Sequence, residues 1–161
     1  MDDLRPRPWV IPGTLVLALM LTIVPLPAWA MPLRPEWAAI VLIYWVMALP
    51  HRVGVGVGWV YGLLLDVLKG ALLGQHALGL ALVAYLVQHL HQRVRVFPLW
   101  QQAISIGLIL FPYLLIGLWI RGIIGRPPGT WWYWAPLFTS ILVWPLAFVF
   151  LRHLRRRARL S

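Results

Sequence analysis

Asp66, Lys69 and His76 are the side chains of this sequence whose types and spacing could perform chemistry. Asp66 and Lys69 lie inside the apolar run GLLLDVLKGALLG (62–74), and His76 follows it closely. The Asp66 carboxylate could hold a ligand, an ion or a proton, and His76 has no obvious carboxylate partner in the sequence except Asp66. General acid–base catalysis usually needs a second positioned group, however, and no serine–histidine–acid set, HExxH motif or P-loop accompanies this run. The sequence therefore predicts no enzymatic activity and no cofactor.

Asp66 stands out because the chain has only four acidic residues. An ionisable residue inside an apolar helix is costly unless it is paired or hydrated, so its presence needs an explanation. Three interpretations stay open at this point. Asp66 could brace a turn, paired with Lys69 or Arg34; it could bind a ligand, ion or proton; or it could contact the helix of a partner protein.

The composition indicates an integral membrane protein. Of 161 residues, 61% are hydrophobic and 11% are charged, which is too few charges to cover the surface of a small water-soluble domain. The length suits one membrane domain over residues 1–161, with no soluble domain attached. The absence of cysteine excludes disulfides and thiolate metal sites.

Apolar segments divided by proline, glycine and charge predict an all-α polytopic fold with about six transmembrane helices. We expect Pro25 and Pro27 to distort or end the outer part of the first helix, Pro112 to interrupt the fifth, and Pro145 to lie inside the sixth. The first segment is interpreted as an uncleaved helix, although "AWA" (28–30) imitates a signal-peptide cleavage site. The predicted helices are 9–30, 36–49, 53–68, 70–90, 99–124 and 135–152.

The basic residues predict the orientation. With both termini in the cytoplasm, the inner side carries ten Lys or Arg residues and the outer side four. Residues 153–161 then form a basic cytoplasmic tail, and no base-reading element accompanies the net charge of +10, so we expect anionic membrane lipid and not nucleic acid as its counterpart. The expected lipid-facing residues are Arg152, Arg155, Arg156, Arg157 and Arg159.

Small residues recur at every fourth position before and after Asp66. This small-xxx-small spacing lets helix backbones approach closely, so the stripe is expected to pack helices together. The stripe drifts around a helix, which agrees with a break near Lys69 and Gly70. Its members are Gly54, Gly58, Gly62, Asp66, Gly70 and Gly74.

The block from Arg34 to Val87, together with "LWQQA" (99–103) and the basic tail, resembles the rod shape-determining protein MreD family of Gram-negative bacteria. The resemblance covers about half of the chain, and residues 104–140 match only in hydropathy. The motifs that carry it are Arg34-Pro35, Tyr44-Trp45, Leu49-Pro50-His51-Arg52 and Gly62…Asp66…Gly70…Leu73-Gly74…Ala77-Leu78.

The resemblance implies a non-enzymatic scaffold of the cell-elongation complex in the bacterial inner membrane, which supports lateral peptidoglycan synthesis and rod cell shape. It implies binding to MreC, a single-span periplasmic scaffold protein, in a wider complex with MreB, RodZ, RodA and a penicillin-binding transpeptidase. It also implies similarity in fold to the substrate-binding subunits of energy-coupling-factor transporters. His51 and Arg52, at a predicted inner turn, would contact anionic lipid or a cytoplasmic partner.

The alternative is a substrate-binding subunit of a membrane transporter for a small molecule or lipid precursor. Such a protein needs several polar groups that converge on one pocket. The few candidates favour the scaffold; they are Asp66, His76, Tyr61, Tyr85, Gln75 and Gln88.

Overall fold

The computed structural model describes residues 9–24, 34–50, 53–70, 74–123 and 134–157, all of which form helices or their connections. The predicted all-α class with six helices is confirmed for these residues. The helices are α1 (Val10–Ile23), α2 (Trp37–Ala48), α3 (Val55–Lys69), α4 (Gln75–Arg95), α5 (Leu99–Ile123) and α6 (Ala135–Arg157).

Helix α2 lies at the centre of the fold. It is apolar around its whole circumference, and ten of its twelve residues are buried, which is the pattern of a helix surrounded by other helices. Its neighbours are α1, α4 and α6. Twelve residues make a helix of only about 18 Å, shorter than a full membrane crossing.

The outward faces of the surrounding helices are apolar. Large side chains such as Leu108, Leu142 and Leu146 are 70–77% exposed, which a water-soluble surface does not normally present as a continuous band. Helices α5 and α6 are long and apolar enough to cross a membrane, by length and composition only. The helices therefore combine a buried apolar centre with an apolar exterior.

The turn between α3 and α4 differs from the predicted boundaries. A helix was expected from residue 70, but α4 begins at Gln75. Gly70 and Gly74 have φ of 65° and 101°, in the left-handed region that favours glycine. Gly70 ends α3 by donating its N–H to the carbonyls of Asp66 and Val67, a common way for a helix to terminate.

Two other boundary predictions were wrong. Helix α5 continues through Pro112, because a proline inside a helix removes one hydrogen bond and neighbouring structure can tolerate that loss. Helix α6 extends to Arg157, so the first part of the basic tail is helical. Pro145 lies inside α6 as expected. Helix α1 ends at Ile23, ahead of Pro25; residues 25–33, including the A-x-A sequence, lie outside the described residues.

Candidate functional site

Asp66 caps the N-terminus of α4. Its side chain is fully buried, and Oδ2 accepts hydrogen bonds from the backbone N–H of Gly74 at 2.9 Å and Ala77 at 3.4 Å. Oδ1 accepts from the backbone N–H of His76 at 2.7 Å. The first N–H groups of a helix have no partner within the helix, and Gly74, at the N-cap position, has no side chain to supply one. A carboxylate from α3 fills this role and places negative charge at the positive end of the α4 dipole.

The His76 side chain completes the contacts of Asp66. Its Nδ1 lies 2.7 Å from Oδ1, and because Oδ1 is an acceptor, Nδ1 carries the proton and donates it. The other side of the imidazole faces Tyr113 of α5, with ring centroids 6.3 Å apart. The cap is thereby connected to three helices, α3, α4 and α5.

The observed partners of Asp66 are not the expected ones. Lys69 has an exposed side chain, and the guanidinium of Arg34 donates to the carbonyls of Thr22 and Val24, at the C-terminal end of α1. Positive charge at that end of a helix is favourable. Arg34 and Asp66 therefore have matching roles. Arg34 hydrogen-bonds to the C-terminal end of α1, and Asp66 hydrogen-bonds to the N-terminal end of α4.

The small-residue stripe of α3 faces α4. A methyl group added to Gly58 would lie 2.8 Å from the carbonyl oxygen of Leu80. One added to Gly62 would lie 2.6 Å from the carbonyl oxygen of His76 and 2.5 Å from the nitrogen of Ala77. All three distances are too short for real atoms, so the two backbones touch at these points. Asp66 follows one turn after Gly62 on the same side of α3.

Tyr44 and Trp45 of α2 are both buried and pack edge to face, with ring centroids 5.3 Å apart. Trp45 donates its indole N–H to the Thr14 hydroxyl of α1 at 2.8 Å. Tyr61 of α3 donates its hydroxyl to the Leu15 carbonyl at 2.7 Å. These bonds attach α1 to the central part of the fold.

Two polar residues that sequence reasoning did not select perform the same kind of role. Arg95, counted only as a positive charge, donates from Nε to the carbonyl of Met47 at 3.0 Å and from Nη2 to that of Ala48 at 3.3 Å, at the end of α2. Gln102, within "LWQQA", donates from Nε2 to the Val94 carbonyl at 3.1 Å. Its Oε1 accepts from the Trp144 indole N–H of α6 at 3.4 Å. The positive charge of Arg95 gave a partial indication of this role, because basic side chains often hydrogen-bond to the last carbonyls of a helix.

Some expected site residues lie outside the described part of the chain, namely His51, Arg52 and Arg159. The neighbouring Pro50 is described, and its carbonyl accepts a hydrogen bond from Gln88 at 3.1 Å. Arg152 and Arg155 lie over aromatic rings, whereas Arg156 and Arg157 are exposed.

Three of the six polar groups considered for a transporter pocket, Asp66, Gln75 and His76, are buried together at the start of α4, and the other three lie elsewhere. Asp66 and His76 bond to each other at the start of α4, whereas Gln88 lies more than three turns further along that helix. Tyr61 donates its hydroxyl to the Leu15 carbonyl of α1, and Tyr85 is exposed beside His89. Among the described residues, no three His, Cys, Asp or Glu side chains are grouped to hold a metal ion. The hydrogen bonds of Asp66, Arg34, Arg95 and Gln102 position the ends of helices.

Comparisons with known proteins agree with one another. The family model described as rod shape-determining protein MreD matches residues 5–154. The rod shape-determining protein MreD of Haemophilus influenzae is 32% identical over 145 residues, which cover 90% of each chain. No solved structure matches the chain. The predicted similarity to energy-coupling-factor substrate subunits therefore stays a prediction.

Proposed function

Because the chain belongs to the rod shape-determining protein MreD family, we propose that it is a non-enzymatic scaffold of the cell-elongation complex, with MreC as its direct partner. A role in rod shape determination follows from the family. The finer assignment concerns how the chain acts within the complex. It would hold partners in the inner membrane and thereby support lateral peptidoglycan synthesis.

The hydrogen bonds of four polar side chains carry this proposal. Asp66, Arg34, Arg95 and Gln102 each hydrogen-bond to the end of a helix in the same chain. A binding protein for a small molecule would direct such groups into a cavity, where they would await the ligand. Groups that are already occupied by helix ends favour a rigid scaffold.

The apolar exterior supports location in a membrane. In a bilayer, backbone groups have no water to bond with, so helix ends that meet protein or lipid need partners from the chain itself. The caps at α1, α2 and α4 meet that requirement. With the excess of basic residues on the inner side, both termini are in the cytoplasm.

A single transmembrane helix is the kind of partner that the exterior suits. Helix α2 is fully covered, so a partner helix within the membrane meets the outward faces of the other helices. MreC would bind there, and MreB, RodZ, RodA and a penicillin-binding transpeptidase would join through the assembled complex. The inner ends of α4 and α6, which carry the arginines, would face anionic lipid or the cytoplasmic members.

The test is purification of the tagged chain in mild detergent from a rod-shaped bacterium that depends on it for shape. We expect MreC and cell-elongation proteins to co-purify, and the untagged chain to compete for them. Recovery of a transporter's coupling subunit and ATPases, without MreC, would contradict the scaffold and support the transporter alternative.

A matched variant separates folding from assembly. Leu108 of α5 is exposed and lies away from the caps, so Leu108→Ala should leave the folded chain intact. A scan of such exposed positions on α1, α3, α5 and α6 should find a face where alanine lowers MreC recovery at unchanged abundance. If every face tolerates substitution, direct binding to MreC within the membrane is wrong.

A further inference from the structure

Tyr44 lies under the last turns of α6. Its ring is 1% exposed and contacts Phe148 edge to face, with centroids 5.6 Å apart. The guanidinium carbon of Arg155 lies 5.9 Å from the centroid of the Tyr44 ring, and that of Arg152 lies 5.4 Å from the Phe148 centroid. Cation–π contacts thus hold two arginines against an aromatic pair in which Tyr44 is buried and Phe148 is half-buried.

The Tyr44 hydroxyl has no hydrogen-bond partner among the described residues, although it is buried. The charged groups that act on this hydroxyl are the guanidinium groups of Arg155, Arg152 and Arg156. Guanidinium groups only donate hydrogen bonds, so they can donate to the oxygen of the Tyr44 hydroxyl but cannot accept its proton. The missing group is an acceptor.

Arg152 and Arg155 likewise have no carboxylate acceptor among the described residues. Of the two acidic residues within the described ranges, Asp66 is bonded at the start of α4 and Glu36 precedes α2. Glu36 is eight residues from Tyr44, which is about 12 Å along a helix. Neither carboxylate of the described residues therefore lies beside Arg152 or Arg155.

The position of the cluster indicates the source of an acceptor. Leu142, Leu146 and Phe150 form an exposed apolar stripe along α6, on the other side of the helix from Phe148 and the two arginines. In the membrane arrangement proposed above, acyl chains cover this stripe and headgroup phosphates lie at the level of the arginines. Arginine binds phosphate through two parallel N–H donors, and a phosphate oxygen also accepts from a phenol.

We propose that Arg152, Arg155 and the Tyr44 hydroxyl form a binding site for the headgroup phosphate of an anionic phospholipid. The site rests on the proposed membrane location, but it does not depend on MreC. It differs from general attraction to a basic tail, because it assigns binding to two arginines and one hydroxyl. Arg155 would turn from the Tyr44 ring toward the phosphate as the lipid enters.

The experiment uses the full chain, purified in detergent and depleted of lipid, with added dioleoylphosphatidylglycerol as the probe. Retained lipid is counted by native mass spectrometry, and the melting temperature is followed as lipid is titrated. We expect Arg152→Gln/Arg155→Gln to lower the apparent affinity at least tenfold. The control Arg93→Gln/Arg157→Gln removes the same charge from the ends of α4 and α6, where only general attraction to anionic lipid acts, and should lower the apparent affinity by a clearly smaller factor.

Tyr44→Phe tests the hydroxyl. Without lipid, the melting temperature should stay equal or rise, because an unpartnered buried group is removed. With phosphatidylglycerol, the apparent affinity should fall several-fold. A lower melting temperature without lipid would show an internal partner for the hydroxyl and overturn its role.

Equal losses in the two double variants would overturn the site in favour of general charge attraction. Equal stabilisation by dioleoylphosphatidylcholine or by inorganic phosphate would overturn the choice of an anionic lipid. Because these readouts use the isolated chain, failure to recover MreC would leave them unchanged, so the two proposals fail separately.

Discussion

Gly62 of α3 and Ala77 of α4 are in backbone contact. A methyl group on Gly62 would lie 2.5 Å from the Ala77 nitrogen and close to the His76 carbonyl oxygen. Both obstacles are backbone atoms of a helix, and they cannot move aside as a flexible side chain can. The contact also places Asp66, one turn further, within reach of the first N–H groups of α4.

Gly62→Ala should therefore destabilise the chain strongly, by about 3 kcal/mol or more, because α3 must move away from α4. Gly56→Ala is the control, since a methyl group at Gly56 meets nothing within 4 Å. That change should be neutral or stabilise by about 0.5–1 kcal/mol through helix propensity. Melting temperatures of the detergent-solubilised variants compare the two, and equal values would contradict the close approach.

Asp66→Asn should lower stability and abundance in the membrane. The amide cannot accept all the hydrogen bonds that the carboxylate accepts, and the negative charge at the α4 N-terminus is lost. The expected loss is about 2–4 kcal/mol, from one missing charge-assisted bond and an unpaired donor. Glu36→Gln removes the other described interior acid and is the control. Normal abundance of Asp66→Asn with lost rod shape would instead indicate a functional contact.

Arg95→Gln should destabilise the end of α2 by about 1–3 kcal/mol, because its guanidinium bonds to the carbonyls of Met47 and Ala48. Arg93→Gln removes an identical charge from the same turn of α4, and the Arg93 side chain is exposed like that of Arg95, so the two variants differ in the bonds to the end of α2. Hydrogen exchange at the last amides of α2 should increase in the first variant only. Equal exchange in both variants would show that Arg95 contributes only its charge.

Gln102→Leu should loosen the junction of α4, α5 and α6, with a loss of about 2–3 kcal/mol. It leaves the Val94 carbonyl and the Trp144 indole N–H without their partners. Gln101→Leu changes the adjacent, half-buried side chain and should cost less than about 0.5 kcal/mol. Tryptophan fluorescence during thermal unfolding measures both. Similar transitions would indicate that Gln102 is not part of the junction.

The number and type of helices could be predicted because apolar length and proline or glycine punctuation act locally. The start of α4 could not, since Gly70 and Gly74 lie inside an apolar run and the Asp66 cap on Gly74 joins residues eight positions apart. Continuation of α5 through Pro112 likewise depends on tertiary packing, which outweighs the local preference.

Asp66 could be selected from the sequence because a carboxylate in an apolar run is costly and therefore needs a reason. Its hydrogen-bond partners could not be selected from the sequence. Three of the four donors belong to His76 and Ala77 of α4, which come close to Asp66 only when α3 and α4 pack together. The sequence gave less indication that Gln102 has a structural role. An uncharged amide near a helix start is common, and its target, the end of α4, is set by the turn into α5.

The burial of α2 has a consequence for the order of synthesis. Helix α2 leaves the ribosome early, whereas α6, one of the helices that cover it, is made last. Translation proceeds at about 5–20 residues per second, so α2 waits several seconds for its final neighbour. A nascent chain that stops before α6 would expose the central helix to lipid, and quality-control proteases that recognise unpaired membrane segments would have that interval in which to act.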